Sequence, residues 1–160
     1  MDRKSELVSW SSAFSVGIKI IDDQHRELLN LVNDMFNHIS EDKTLEQAYI
    51  GKIVQQAVQF VKTHFKTEEA IMVHINFPGY AEHKRAHDAF VQIVVENVKN
   101  FENGQTFVLA DFTRYLKEWI LTHIAIMDKQ YFTYLKRTAS HKPDGELNLN
   151  WDDIVAQGSI

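Results

Sequence analysis

Residues 44–72 read TLEQAYIGKIVQQAVQFVKTHFKTEEAIM. Ile50, Ile53, Val54, Ala57, Val61, Phe65 and Met72 return at helical spacing, so one face of this segment is apolar. Thr44 with Gln47 three residues on reads as a capping box that starts the helix, and Phe77-Pro78-Gly79 stops it. His64 and Glu68 are four apart within it and project from one face about a turn apart. A long helix with a basic and an acidic donor on one face is the first indication of a helical metal-binding protein.

The same periodicity continues on both sides. Before this segment, Asp22 or Asp23 reads as the N-cap of a helix bearing Leu28, Leu29, Val32, Phe36 and Ile39, with His25 on the same face. After it, a third helix runs from about Tyr80 through Ala86, Phe90, Ile93, Val94 and Val98 to Phe101, and Asn103-Gly104 stops it. A fourth runs from about Val108 to Arg137. Only two prolines occur, Pro78 and Pro143, which favours long helices over many short strands. Four amphipathic helices with short connections predict an all-α fold, an up-and-down antiparallel four-helix bundle. Residues 1–21, with Trp10, Phe14, Val16, Ile18 and Ile20, are expected to form an extended N-terminal arm across it. Residues 1–137 thus read as the bundle with its arm, and 138–160 as a C-terminal extension. In that tail Pro143 and Gly145 mark a turn, and Trp151, Ile154 and Val155 form a short apolar cluster beside Asp152 and Asp153, expected to dock on the bundle.

Composition narrows the chemistry. The 160 residues fit one domain, with 44% apolar and 24% charged residues. A net charge of −5 argues against a nucleic-acid partner, which calls for a basic face. Cysteine is absent, which excludes disulfides, thiolate zinc sites and iron–sulfur clusters, so any metal must use histidine and carboxylate. Met1-Asp2-Arg3-Lys4-Ser5-Glu6 leads into no signal-like run, and no stretch reaches the roughly 18 apolar residues of a membrane span. The expected location is cytoplasmic, without membrane insertion.

Five of the eight histidines fall on inward faces. Besides His25 and His64, His83 and His87 are four apart in the third helix, and His123 follows Leu116, Trp119 and Ile120 in the fourth. Asp128 is five residues past His123, about 140° away on a straight α-helix. The two converge only if the helix carries a local π-bulge. Each element alone has an ordinary explanation: a lone histidine on an apolar face is usually a satisfied core residue, and a four-residue pair a surface contact or zinc site. Together they are different, because burying five imidazoles and two carboxylates without partners costs several kcal/mol at each poorly satisfied group. A metal centre removes that cost.

At this point the chain resembles the hemerythrin family from about Trp10 to Tyr131. The resemblance rests on Trp10-Ser-Ser-Ala-Phe-Ser-Val-Gly17, Asp23-Gln24-His25, His64-Phe65-Lys66-Thr67-Glu68-Glu69, Met72 with Phe77-Pro78, His83-x-x-x-His87, and Trp119-Ile-Leu-Thr-His123-x-x-x-x-Asp128. It implies two non-haem iron ions joined by a bridging oxide or hydroxide. His83, His87 and His123 would hold one iron, His25 and His64 the other, and Glu68 and Asp128 would bridge them. Five imidazoles and two bridging carboxylates then supply nine metal–ligand bonds and the bridging oxygen two more, so two octahedral ions keep one position open, on the two-histidine iron. Zinc or manganese could use the same donors.

Glu69 is the rival to Glu68, since it lies five residues from His64 as Asp128 does from His123. Phe65, Trp119, Ile120 and Ile124 are expected to line an apolar pocket with no acid placed to donate a proton, which favours reversible oxygen binding over O–O cleavage. Tyr131 matches a family position and is expected to hydrogen-bond a bridging carboxylate. Phe77 stands where the family commonly has tyrosine. His38, His74 and His141 fall outside the pattern: His38 is expected to be solvated or a charge partner at the first helix's C-terminus, His74 to be exposed, and His141 belongs to the tail. The implied function is binding of molecular oxygen for carriage, storage or delivery, without enzymatic turnover. An oxygen-consuming or signalling protein would then be the partner. The competing readings are an oxygen or redox sensor and a di-iron peroxidase or nitric-oxide-handling enzyme.

Overall fold

A computed structural model describes residues 6–105, 107–138 and 149–157. Among them every regular element is helical. Helix α1 spans Lys19–Asn37, α2 Lys43–His74 and α3 Tyr80–Glu102. The fourth rod is α4 Leu109–His123, a π-helical stretch Ile124–Asp128 and α5 Lys129–Thr138 in direct succession. Short turns connect α1, α2, α3 and α4, as the sequence predicts for an antiparallel bundle. No helix among the described residues is long and apolar enough to cross a membrane.

Two helix starts differ from the sequence expectation, both because a nearby acid is used otherwise. Helix α1 begins at Lys19 rather than after Asp22, with Ile18 as an N-cap that offers no side-chain bond. Asp22 is committed to the arm: its carboxylate accepts the Val16 backbone N–H at 2.8 Å and the Ser15 hydroxyl at 2.5 Å. The arm therefore ends at Ile18, before residue 21. At α2 the cap is Asp42, which accepts from the N–H groups of Thr44 and Leu45, while Glu46 rather than Gln47 reaches back to the Ser40 N–H at 2.9 Å. An aspartate two residues earlier outcompetes Thr44 for the orphan amides of the first turn. Ile39, assigned to the α1 face, lies beyond the helix end and is exposed.

The arm is fastened rather than draped. Asn33 on α1 accepts the backbone N–H groups of Leu7 and Val8 and donates to the Val8 carbonyl at 2.7 Å. Gly17 has φ +78°, and a Cβ there would sit 2.4 Å from the Phe132 ring, so the arm crosses α5 at a point only glycine fits.

Two apolar clusters fill the bundle. The larger includes Leu28, Val32, Ile53, Val61, Phe90 and Leu116, and the smaller Val16, Ile21, Ile71, Met72, Tyr131 and Leu135. His25, Glu68 and Asp128 fall between these clusters in sequence, while His64 and His123 are flanked by members of the larger one, so apolar packing closes the polar cluster at both ends. A short helix α6, Trp151–Gln157, packs along α2 and buries Ile154 in the smaller cluster. His141, Pro143, Gly145 and the side chains of Asp152 and Val155 lie outside the described residues.

Candidate metal centre

Each rod contributes to one buried constellation: His25 from α1, His64 and Glu68 from α2, His83 and His87 from α3, His123 from α4 and Asp128 from the π-helical stretch. All seven are buried, the most exposed being His123 at 5%. Their donor atoms form two groups within 4.8 Å, Glu68 with His83, His87 and His123, and His25 with His64, Glu68 and Asp128. Glu68 belongs to both. The π-helical stretch removes the 140° mismatch expected of a straight helix and sets Asp128 Oδ1 3.1 Å from His123 Nε2.

Hydrogen bonding alone does not account for this cluster. His123 Nε2 lies 2.9 Å from His83 Nε2 and 3.0 Å from His87 Nε2, yet a ring nitrogen has one proton or one lone pair and serves one of them. Both ring nitrogens of His25, both Asp128 oxygens and Glu68 Oε2 have no hydrogen-bond partner although they are buried. Neighbouring donors at right angles around a metal with bonds of about 2.1 Å are about 3.0 Å apart, the spacing of His123 from both His83 and His87. The residues therefore fit a metal. Asp128 also spans the two groups, with Oδ1 3.3 Å from His83 Nε2 and Oδ2 3.1 Å from His25 Nε2. Glu68 Oε2 sits 3.3 Å from His87 Nε2 and 3.5 Å from His64 Nε2.

Burial and neighbours set opposite protonation preferences. Burial pushes the His64 imidazole down to about 4. Burial also opposes charge on His87, but the Glu68 and Glu69 carboxylates beside it outweigh that and raise it to about 9. Burial disfavours the Asp128 anion, yet His123, His25 and His83 hold it well below the usual carboxylate range.

The sequence reading missed what grips the outer nitrogens. His64 Nδ1 donates to Gln24 Oε1 at 3.0 Å, and Gln24 Nε2 donates to Thr67 Oγ1 at 3.2 Å. His87 Nδ1 donates to Glu69 Oε1 at 3.1 Å. Glu69, weighed as a rival donor, thus lies outside the cluster and orients a histidine within it. Its only sequence signal was adjacency: one residue past an inward position turns a side chain about 100° toward a neighbouring helix. Tyr131 donates to Glu68 Oε1 at 2.9 Å, and Phe77 packs edge-on against the Tyr131 ring at 6.4 Å. His38 is half-buried, bonded to the Asp34 carbonyl and stacked on Tyr49, while His74 is exposed.

An apolar cavity adjoins the cluster. Phe65, Trp119, Ile120 and Ile124 line it as expected, joined by Leu28, Val61 and Phe90, and it reaches His64, His123 and Asp128. It has about 10 Å³ of room for a water-sized molecule, close to the minimum for one. Stacked rings fix its wall: Phe65 lies on His87 at 3.7 Å and Trp119 on His123 at 4.3 Å.

Residues 16–135 match the family described as Hemerythrin HHE cation binding domain. The chain is 32% identical to the bacteriohemerythrin of Methylococcus capsulatus over 78% of this chain and 94% of that one. It is 28% identical to the bacteriohemerythrin of Stenotrophomonas maltophilia, over 81% and 82%. A solved wild-type hemerythrin superimposes with a TM-score of 0.74 at 30% identity, covering 79% of this chain and 96% of that one. A four-helix bundle enclosing this donor set, matched along most of its length, belongs to the hemerythrin family of di-iron oxygen-binding proteins.

Proposed function

We propose that the protein binds molecular oxygen reversibly, for carriage, storage or delivery and without enzymatic turnover. In this reading His83, His87 and His123 hold one iron, His25 and His64 the other, and Glu68 and Asp128 bridge them. The observation that carries it is a buried seven-residue donor set with unpartnered oxygens and nitrogens beside an apolar cavity. Two iron ions held there would supply electrons and one open position to oxygen.

The protein's own residues do the rest. Gln24 and Glu69 accept the outer N–H of His64 and His87, which points each Nε2 inward as a donor. Phe65, Trp119, Ile120 and Ile124 leave little room for water beside the cluster. The Tyr131 hydroxyl keeps its proton and points it at Glu68 in a hydrogen bond, and Asp128 is held as the anion, so neither offers a proton toward the cavity. That lack of a donor favours release of intact oxygen over the peroxidase reading.

Residues 1–137 are the oxygen-binding unit in this proposal and 138–160 an extension. A cytoplasmic location and delivery to an oxygen-consuming or signalling protein belong to it as well, and cell fractionation tests the first. The central test is an absorption spectrum of the iron-loaded, anaerobically reduced protein taken through cycles of oxygen addition and removal. A spectral change that reverses over repeated cycles is expected. Stoichiometric zinc in protein from iron-replete cells, or one irreversible change, overturns the proposal.

A further inference from the structure

Helix α6 touches the molecule at two places that share one property. On one side Leu149, Asn150 and Trp151 wall a cavity of about 880 Å³ whose other wall includes Gln24 and Thr63. On the other, Ile154 walls a cavity of about 400 Å³ that contains Glu69. Gln24 and Glu69 are the residues that hold the outer nitrogens of His64 and His87, so each cavity reaches a polar side chain bonded to a buried imidazole. The outer nitrogens of His83 and His25, Nδ1 in each ring, have no hydrogen-bond partner. The polar routes outward from these rings thus run to the two cavities beside α6.

Ile154 is 6% exposed and packs with Ile71 and Met72, which anchors the short helix on α2. The helix lies beyond residues 16–135, the part that matches the family. We propose that α6 is an added outer wall that limits how fast water, protons and chelating solutes reach the outward sides of His64 and His87. Chelating solutes must pass the same wall, so it also slows loss of a metal held by these rings. That metal-exchange consequence rests on the di-iron reading; the proton-exchange consequence does not.

The test compares Trp151→Ala and Ile154→Ala with Val94→Ala, a control in the larger cluster about two turns past His87 on α3, at temperatures adjusted to equal distance below each melting point. Solvent exchange of the ring N–H protons of His64 and His87 is followed by NMR in metal-free protein, and iron removal by EDTA is followed in loaded protein. Trp151→Ala is expected to speed exchange mainly at His64, Ile154→Ala mainly at His87, and both to speed iron removal by about tenfold, with Val94→Ala unchanged. Rates in both variants equal to wild type, or an equal acceleration in Val94→Ala, overturn the proposal. A protein that loads no iron removes the oxygen-binding reading, while the ring-proton rates still decide the role of α6.

Discussion

The two halves of the cluster are built from the same imidazoles but gripped differently. On the three-histidine side, His87 donates to a carboxylate, Glu69, with Lys84 3.6 Å beyond it, and rings stack on both His87 and His123. On the two-histidine side, His64 donates to a neutral amide, Gln24, and lines the cavity. The metal-free imidazoles diverge accordingly, His87 up to about 9 and His64 down to about 4. A carboxylate partner makes its histidine a more basic, more firmly oriented donor, whereas an amide orients without adding charge. Under the di-iron proposal, firm metal retention falls to the first side and the exchangeable ligand position to the second.

The harshest way to break it is to remove a donor. His87→Ala is expected to cost both irons, because the side that anchors the pair loses a fixed donor; His64→Ala should leave one iron per chain. Metal analysis after gel filtration checks both, and equal losses would erase the distinction.

Acidity separates His87 from His64 next. Loading the three-histidine side must displace the His87 proton, so metal affinity is expected to tighten about tenfold per pH unit from 6.5 up to about 9 and then level. His64 has already lost its proton in that range and adds no slope. The sign reverses for metal-free stability: the raised His87 pKa contributes stability fully present below 6.5 and lost as pH rises through about 9. Metal titrations in weakly buffered solution, with proton release counted, measure the slope.

Changing the outer partner gives an intermediate effect. Glu69→Gln should weaken metal binding by about 10-fold or more and lower the His87 pKa, and Gln24→Glu should raise that of His64. Competition with a chelator and NMR titration of the rings test the pair together. The smallest effect on metal content belongs to Ile120→Ala. It opens the cavity wall, costs about 2–5 kcal/mol of stability, and is expected to hasten irreversible oxidation in air while iron stoichiometry stays at two. An unchanged oxidation rate in the folded, loaded variant would remove Ile120 from any protective role.

The bundle was legible because its signal is local. Apolar residues at helical spacing, the Asn103-Gly104 stop and the i, i+4 histidine pairs depend only on the geometry of a single helix. Even the irregular step from His123 to Asp128 announced itself, as a spacing that an ideal helix cannot satisfy. What sequence concealed depends on neighbours distant in the chain. Asp22 reads as a cap until the arm is seen to occupy its carboxylate. Glu69 reads as a rival metal donor and Gln24 as a motif residue without a role until the facing helix brings an imidazole to them, 18 and 40 residues away. The Ile154 cluster suggested docking but carried no address, since apolar matching specifies contact without specifying where.

The π-helical stretch has a consequence for how this chain tolerates insertions and deletions. Leu116, Ile120 and His123 form one buried stripe and Asp128, Tyr131 and Leu135 another. On an unbroken α-helix these stripes would be offset by about 100°, the rotation of a single residue. The fourth rod thus contains one surplus residue, absorbed between Ile124 and Asp128. Deleting Ala125 or Ile126, both exposed, would return the rod to a regular helix with His123 and Asp128 four apart and both stripes still inward. Deleting Lys117 would instead rotate His123 away from its partners. Loss of a residue at the centre's own doorstep should therefore do less harm to metal binding than the same loss two turns earlier, an inversion of the usual rule that damage grows with proximity to the site.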